Sequence, residues 1–155
     1  MKKLFKTLLI ALSILSYSTS IAQETADDCD ATSLKATLKP FLMPVYKYDS
    51  SNITKFTYKT EKQGKEIEVP LFASEKYKLL FNASAAPGIE IFVYDKPAGK
   101  AGRNLLYSSK SKNAKEGLYS FEPEKSAPVY ITYIIPETGE VGSNGCVVFL
   151  LGYKF

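Results

Sequence analysis

The chain contains no histidine among its 155 residues. That removes the imidazole on which Ser-His-Asp and Cys-His nucleophilic sites and the common histidine metal sites depend. Chemistry would have to come from paired carboxylates, a lysine base or a tyrosine. Glu66 and Glu68 share one face of a predicted strand, opposite Ile67 and Val69, while Glu122 and Glu124 bracket Pro123. A glycosidase needs two carboxyl groups facing each other across a cleft. The spacing here reads instead as a solvated outer face and a strand end. Asp27, Asp28 and Asp30 surround Cys29, without the loop spacing that brings several oxygens onto one Ca²⁺. No catalytic residue, metal or cofactor is expected.

The segment Gly99-Lys100-Ala101-Gly102-Arg103 has the small and basic residues of a phosphate loop and the chain's single arginine. It lacks the Gly-Lys-Ser/Thr order and no helical pattern follows it, so a mobile hairpin tip is the expectation. Lys110, Lys112 and Lys115 read as a solvated loop. Tyrosine is the enriched type, with eleven copies. Tyr46 and Tyr48, followed by Asp49, and Tyr94 beside Asp95 are the candidate ligand-binding residues, lining a groove for a sugar or lipid. The chain has no tryptophan for sugar stacking, and tyrosine also packs well in strands with its hydroxyl at the wet edge. Asp95 has the further alternative of a turn residue that bonds nearby backbone. Lys55, Lys59, Lys76 and Lys78 would share an outer face, either as a weak anion surface or as protection of strand edges.

These candidates sit on a chain that reads as strand after strand from about residue 53. Phe56 and Tyr58 alternate with Lys55, Thr57 and Lys59; Ile67, Val69 and Leu71 alternate with Glu66 and Glu68. Gln63-Gly64 is the expected tight turn between them. Tyr77, Leu79 and Phe81 follow the break at Ser74-Glu75. Ile89, Ile91 and Val93 follow Pro87-Gly88, and Leu105 to Tyr107 and Gly117 to Phe121 are short successors. Val129 to Ile135 and Val147 to Leu151 are apolar on both faces, which predicts strands covered on both sides. About eight strands with turn residues in each gap predict an all-β fold, an antiparallel, jelly-roll-like β-sandwich. Only Asp30 to Leu42 looks helical, with Asp30 as N-cap, Leu34, Leu38 and Phe41 or Leu42 on one face, and Pro40 and Pro44 keeping it short.

The compartment is written in residues 1–22. A basic start (Lys2, Lys3, Lys6), a short apolar run over Thr7 to Leu15 and a small-x-small site at Ser20-Ile21-Ala22 predict a cleaved secretory signal peptide. The apolar run is about half of the roughly 20 residues a membrane span needs, so no span is expected after cleavage. Residues 23–155 then form a single sandwich domain, periplasmic or secreted. The formal charge of +4 falls to +1, because three of the 20 basic side chains leave with the signal and 17 remain against 16 acidic ones. Such a balance does not argue for a nucleic-acid partner. In an oxidising compartment Cys29 and Cys146 are expected to form a disulfide that pins the N-terminal segment onto the last strand.

From Glu68 to Pro136 the order "VPLFASEKYKLLFNAS", "GIEIFVYDKPAG", "LLYSSK" and "LYSFEPEKSAPVYITYIIP" resembles the bacterial pre-peptidase C-terminal type of β-sandwich. Ala73-Ser74-Glu75 stands where that family has a glycine turn, and no attached peptidase is expected within these 155 residues. The resemblance implies a non-catalytic accessory module of secreted proteins. The reading is therefore an exported binding protein whose partner is an envelope or extracellular protein or a glycan. A carbohydrate- or lipid-binding module using surface tyrosines is the alternative, and a carboxylate-dependent hydrolase ranks last.

Overall fold

A computed structural model describes residues 29–111, 117–139 and 141–155. The expected signal at residues 1–22 lies outside this range, as do Asp27, Asp28, Lys112 and Lys115. Within it the alternating segments form eight strands: β1 (Lys47–Thr57), β2 (Gln63–Val69), β3 (Lys76–Asn82), β4 (Glu90–Tyr94), β5 (Leu105–Ser108), β6 (Leu118–Phe121), β7 (Val129–Ile135) and β8 (Asn144–Lys154). They make two four-stranded sheets, β1-β8-β3-β6 and β2-β7-β4-β5. Every ladder is antiparallel. The pairs β1·β8, β2·β7, β3·β6 and β4·β5 are those of one long folded ribbon, and its rolling adds β3·β8 and β4·β7. This is the jelly-roll order.

The inward row of each strand fills the space between the sheets. Phe56, Leu79, Phe81, Ile91, Val93, Ile131, Tyr133, Val147 and Phe149 all belong to that core. The outer face of the first sheet is also covered. Helix α1 (Ala31–Leu38) begins where the Asp30 carboxylate accepts from Ser33 N at 3.0 Å. It lays Leu38 and then Leu42 on Leu80, Val148 and Leu150. Burying these two leucines contributes about 2 kcal/mol each. Hence Val147–Leu151 is buried on both faces, as its composition predicted.

Four expectations change. The α-helix stops at Leu38 and passes into a 3₁₀ turn over Lys39–Phe41, because Pro40 has no N–H to continue the ladder; Leu42 is buried and Phe41 faces out. Gln63 and Gly64 lie inside β2 rather than in a turn, since β1 and β2 belong to different sheets and are joined by an arch, not a hairpin. β1 starts at Lys47, because pairing with β8 draws in the polar run Ser50–Asn52 despite its low strand propensity. In β7 only alternate residues are buried; Tyr130, Thr132 and Ile134 are half-exposed on the outer face of the second sheet.

Candidate functional site

The loop from Asp95 to Asn104, which joins β4 to β5, is braced rather than loose. Asp95 accepts from Asn104 N and from Asn104 Nδ2, both at 2.7 Å, and these bonds hold its carboxyl below the usual range. Arg103 donates from Nε to the Lys96 carbonyl at 2.8 Å and from Nη2 to Thr132 Oγ1 at 2.9 Å. The same Nη2 pairs with Glu66. The Arg103 guanidinium carbon lies over Tyr94, 3.6 Å from the ring centroid. Glu66 also accepts from Ala98 N and Thr132 Oγ1. Glu66 and Thr132 are cross-strand neighbours on β2 and β7, so one arginine ties the loop across the sheet. The segment expected to be a mobile hairpin tip is thus a fixed strap, and Glu66, exposed on the outer face as expected, is its anchor.

The sequence-selected tyrosines do not converge. Tyr46 and Tyr48 belong to the outer side of the first sheet and Tyr94 to that of the second, so the three line no common groove. Each ring face is also taken by a cation. Lys35 Nζ sits 4.7 Å from the Tyr48 centroid and donates to its hydroxyl at 2.8 Å. Lys154 and Lys78 lie 4.5 and 5.5 Å from the centroid of Tyr46, which is itself buried. Burial raises the Tyr46 pKa and the Glu122 carboxylate that accepts from its hydroxyl adds to this. The Lys35 bond lowers that of Tyr48. Stacking on a sugar ring would have to displace a cation at every one of these positions. Asp49 occupies the bulge in β1 between Tyr48 and Ser50.

Glu66 and Glu122 are engaged as acceptors. Burial pushes the Glu66 carboxyl up, but the bonds from Ala98, Thr132 and Arg103 outweigh it and leave its pKa lowered. Glu122 is lowered first by Tyr46 and then by Lys78, 3.5 Å away. A general acid needs the opposite shift. Asp30 serves as the helix cap. Among the described residues no group of three His, Cys, Asp or Glu could hold a metal ion, and no helix is long and apolar enough to cross a membrane. Of the four lysines expected on one face, Lys55, Lys76 and Lys78 do share the outward row of the first sheet, but they form no cluster: Lys55 pairs opposite Cys146 and Lys78 opposite Gly152, six residues or about 20 Å apart along β8.

What sequence reasoning missed is the open side of the sandwich. β5 ends one sheet and β6 the other, and a groove runs between them. Its two lobes of about 510 and 530 Å³ share Leu105, Leu106, Phe121 and Glu122. Tyr107 and Phe121 pack beneath it in a tilted pair with centroids 5.3 Å apart. Leu105 and Leu106 are 52% and 42% exposed. The strap formed by Arg103 and Asp95 holds β5 in place on one wall; on the other, Ser126 donates to the Glu75 carbonyl and fixes the β6–β7 loop. A signal for this site existed in the adjacent leucines of a strand only four residues long, which cannot both point inward.

Cys29 and Cys146 are joined, with Cα atoms 5.8 Å apart, and the bridge fastens the start of α1 to the outer face of β8. A buried disulfide of this kind belongs to an oxidising compartment. No family model matches the chain, and no curated protein matches it. Among solved structures it is similar to the crystal structure of Aeromonas hydrophila PliG, a periplasmic lysozyme inhibitor of g-type lysozyme, with a TM-score of 0.40 and 9% identity over 69% of this chain and 87% of that one.

Proposed function

We propose that this chain is an exported, non-catalytic jelly-roll protein that binds a protein partner, in the periplasm or outside the cell, through the groove between β5 and β6. The observation that carries the reading is the pair of exposed leucines, Leu105 and Leu106, on an edge strand beside the packed rings of Tyr107 and Phe121. Exposed apolar side chains grouped around a concavity mark interaction surfaces. The β5 wall is held by the Asp95–Asn104 and Arg103–Glu66 contacts and the other by the Ser126 bond to the Glu75 carbonyl, so the surface is pre-organised and binding would order little. The Cys29–Cys146 bridge and the charge-apolar-small order of residues 1–22 support export. The likeness of Glu68–Pro136 to pre-peptidase C-terminal domains supports an accessory rather than a catalytic role. Carboxylates already occupied as hydrogen-bond acceptors, and tyrosine faces already occupied by cations, favour neither a hydrolase nor a sugar module.

The test is site-specific photocrosslinking in the producing cell. A benzoylphenylalanine at Leu106 should give a discrete protein adduct, and the same probe at Ser50, on the far edge strand β1, should not. The partner identified by mass spectrometry should bind the purified protein and lose that affinity with Leu106→Asp. An adduct from Ser50 and none from Leu106 would overturn the reading.

A further inference from the structure

We infer that the groove takes an extended segment of a basic partner protein, one that sets an apolar side chain beside a lysine or arginine; the inference rests on the protein-binding reading above. The first ground is the contrast between the two open sides of the sandwich. On the β1–β2 side the edges are guarded: Lys65 Nζ reaches across and donates to the Lys55 carbonyl at 2.6 Å. Lysines there discourage the addition of a further strand. On the β5–β6 side the strands read LLYS and LYSF, without a charge. Among the described residues no strand pairs with the outer edge of either. Uncharged edges that no described strand pairs, beside a concavity, suit an extended segment, whose backbone bonds to the edge while alternate side chains enter pockets.

The second ground is charge. The lobe toward the β6–β7 loop has an apolar floor, including Leu105, Phe121 and Val129, and a rim of Asp95, Glu122 and Glu124 against Lys125, with Lys78 pairing Glu122 from beside the rim. This excess of acid stands on a chain whose formal charge is positive. The Asp95 carboxylate is held by the neutral backbone and side-chain amides of Asn104, with Lys96 as its nearby cation. Glu124 is exposed and makes no ion pair among the described residues. An apolar floor under an acidic rim recognises an apolar residue flanked by cations, and the charge would act chiefly on selectivity and on the rate of encounter.

The experiment uses two synthetic decapeptides that alternate valine with lysine or with glutamate around one phenylalanine, titrated into the disulfide-bonded protein with amide NMR as the readout. The lysine peptide should shift amides of β5, β6 and the 122–128 loop. It should bind about tenfold more tightly than the glutamate peptide, and Glu124→Lys should abolish that preference. Equal binding of both peptides, no shift at millimolar peptide, or shifts confined to another face would overturn the inference. So would a concentration-dependent dimer abolished by Leu106→Asp, which would mean that the groove takes a second copy of this chain. A Leu106 photoadduct whose partner binds Glu124→Lys undiminished would sink the cationic segment while leaving the protein-binding reading intact.

Discussion

Arg103 sits over Tyr94 with its guanidinium carbon 3.6 Å from the ring centroid, while its edge bonds Thr132 on the adjacent strand β7 and Glu66 on β2 beyond it. A planar fork does both jobs at once; an ammonium can do only one. Arg103→Lys should therefore behave nearly as Arg103→Ala, each losing about 1–3 kcal/mol through the charge-assisted bonds and the stack. Urea unfolding measures this. A double cycle with Glu66→Ala should show positive coupling, since the two side chains share one contact. Full stability in the lysine variant would refute the strap as drawn.

That strap shows where sequence reading stops. Glu66, Arg103 and Thr132 are 37 and 29 positions apart along the chain, and only the register of β2 on β7 and the return of the 95–104 loop bring them together. Local patterns were read more successfully. Val147–Leu151 carries its two-sided burial in its composition, and Asp30 its capping role in its position before Ser33. The Cys29–Cys146 pair followed from the compartment. The turn at Gln63-Gly64 failed because a local signal was read without knowing that β1 and β2 lie in different sheets. The groove was invisible for a related reason: whether Leu105 and Leu106 are inside or outside depends on β5 being an edge strand, which is a property of topology.

The Cys29–Cys146 bridge closes a loop with a sequence separation of 117. Loop entropy then assigns it about 5 kcal/mol as an upper value. Removing both cysteines, as Cys29→Ala with Cys146→Ala, should lower the urea midpoint strongly and expose the α1 amides to hydrogen exchange before those of the β3 and β8 core. Uniform loss of protection across both sheets would mean that the clasp stabilises the sandwich as a whole rather than its helical cover.

Gly152 lies on β8 beneath the segment that follows α1. A Cβ there would run into the Leu42 side chain and approach the Lys47 carbonyl oxygen to 3.2 Å. Overpacking of this kind costs about 1–3 kcal/mol. Gly152→Ala should destabilise by that amount. Adding Leu42→Ala should then cost less than Leu42→Ala does alone, because the two changes share the same space. Strict additivity of the two would show that the clash is relieved elsewhere.

Tyr107 packs its ring between Phe81 and Phe121, yet its buried hydroxyl has no hydrogen-bond partner among the described residues. Burial, with a smaller contribution from Tyr119, pushes its pKa up to about 12. The folded state therefore keeps this proton where the unfolded chain, titrating near the ordinary value of about 10, gives it up. Stability should be flat below about pH 10 and then fall, by roughly 2–3 kcal/mol in all, as the pH rises to about 12. Tyr107→Phe keeps both ring contacts and removes a hydroxyl that nothing satisfies. At neutral pH it should be neutral or stabilising by up to about 1 kcal/mol. Above pH 10 its advantage should widen, because this part of the alkaline loss is gone. Urea midpoints of the two proteins from pH 8 to about 11.5 decide the matter. If the curves fall in parallel over that range, the Tyr107 hydroxyl is not a source of the alkaline loss.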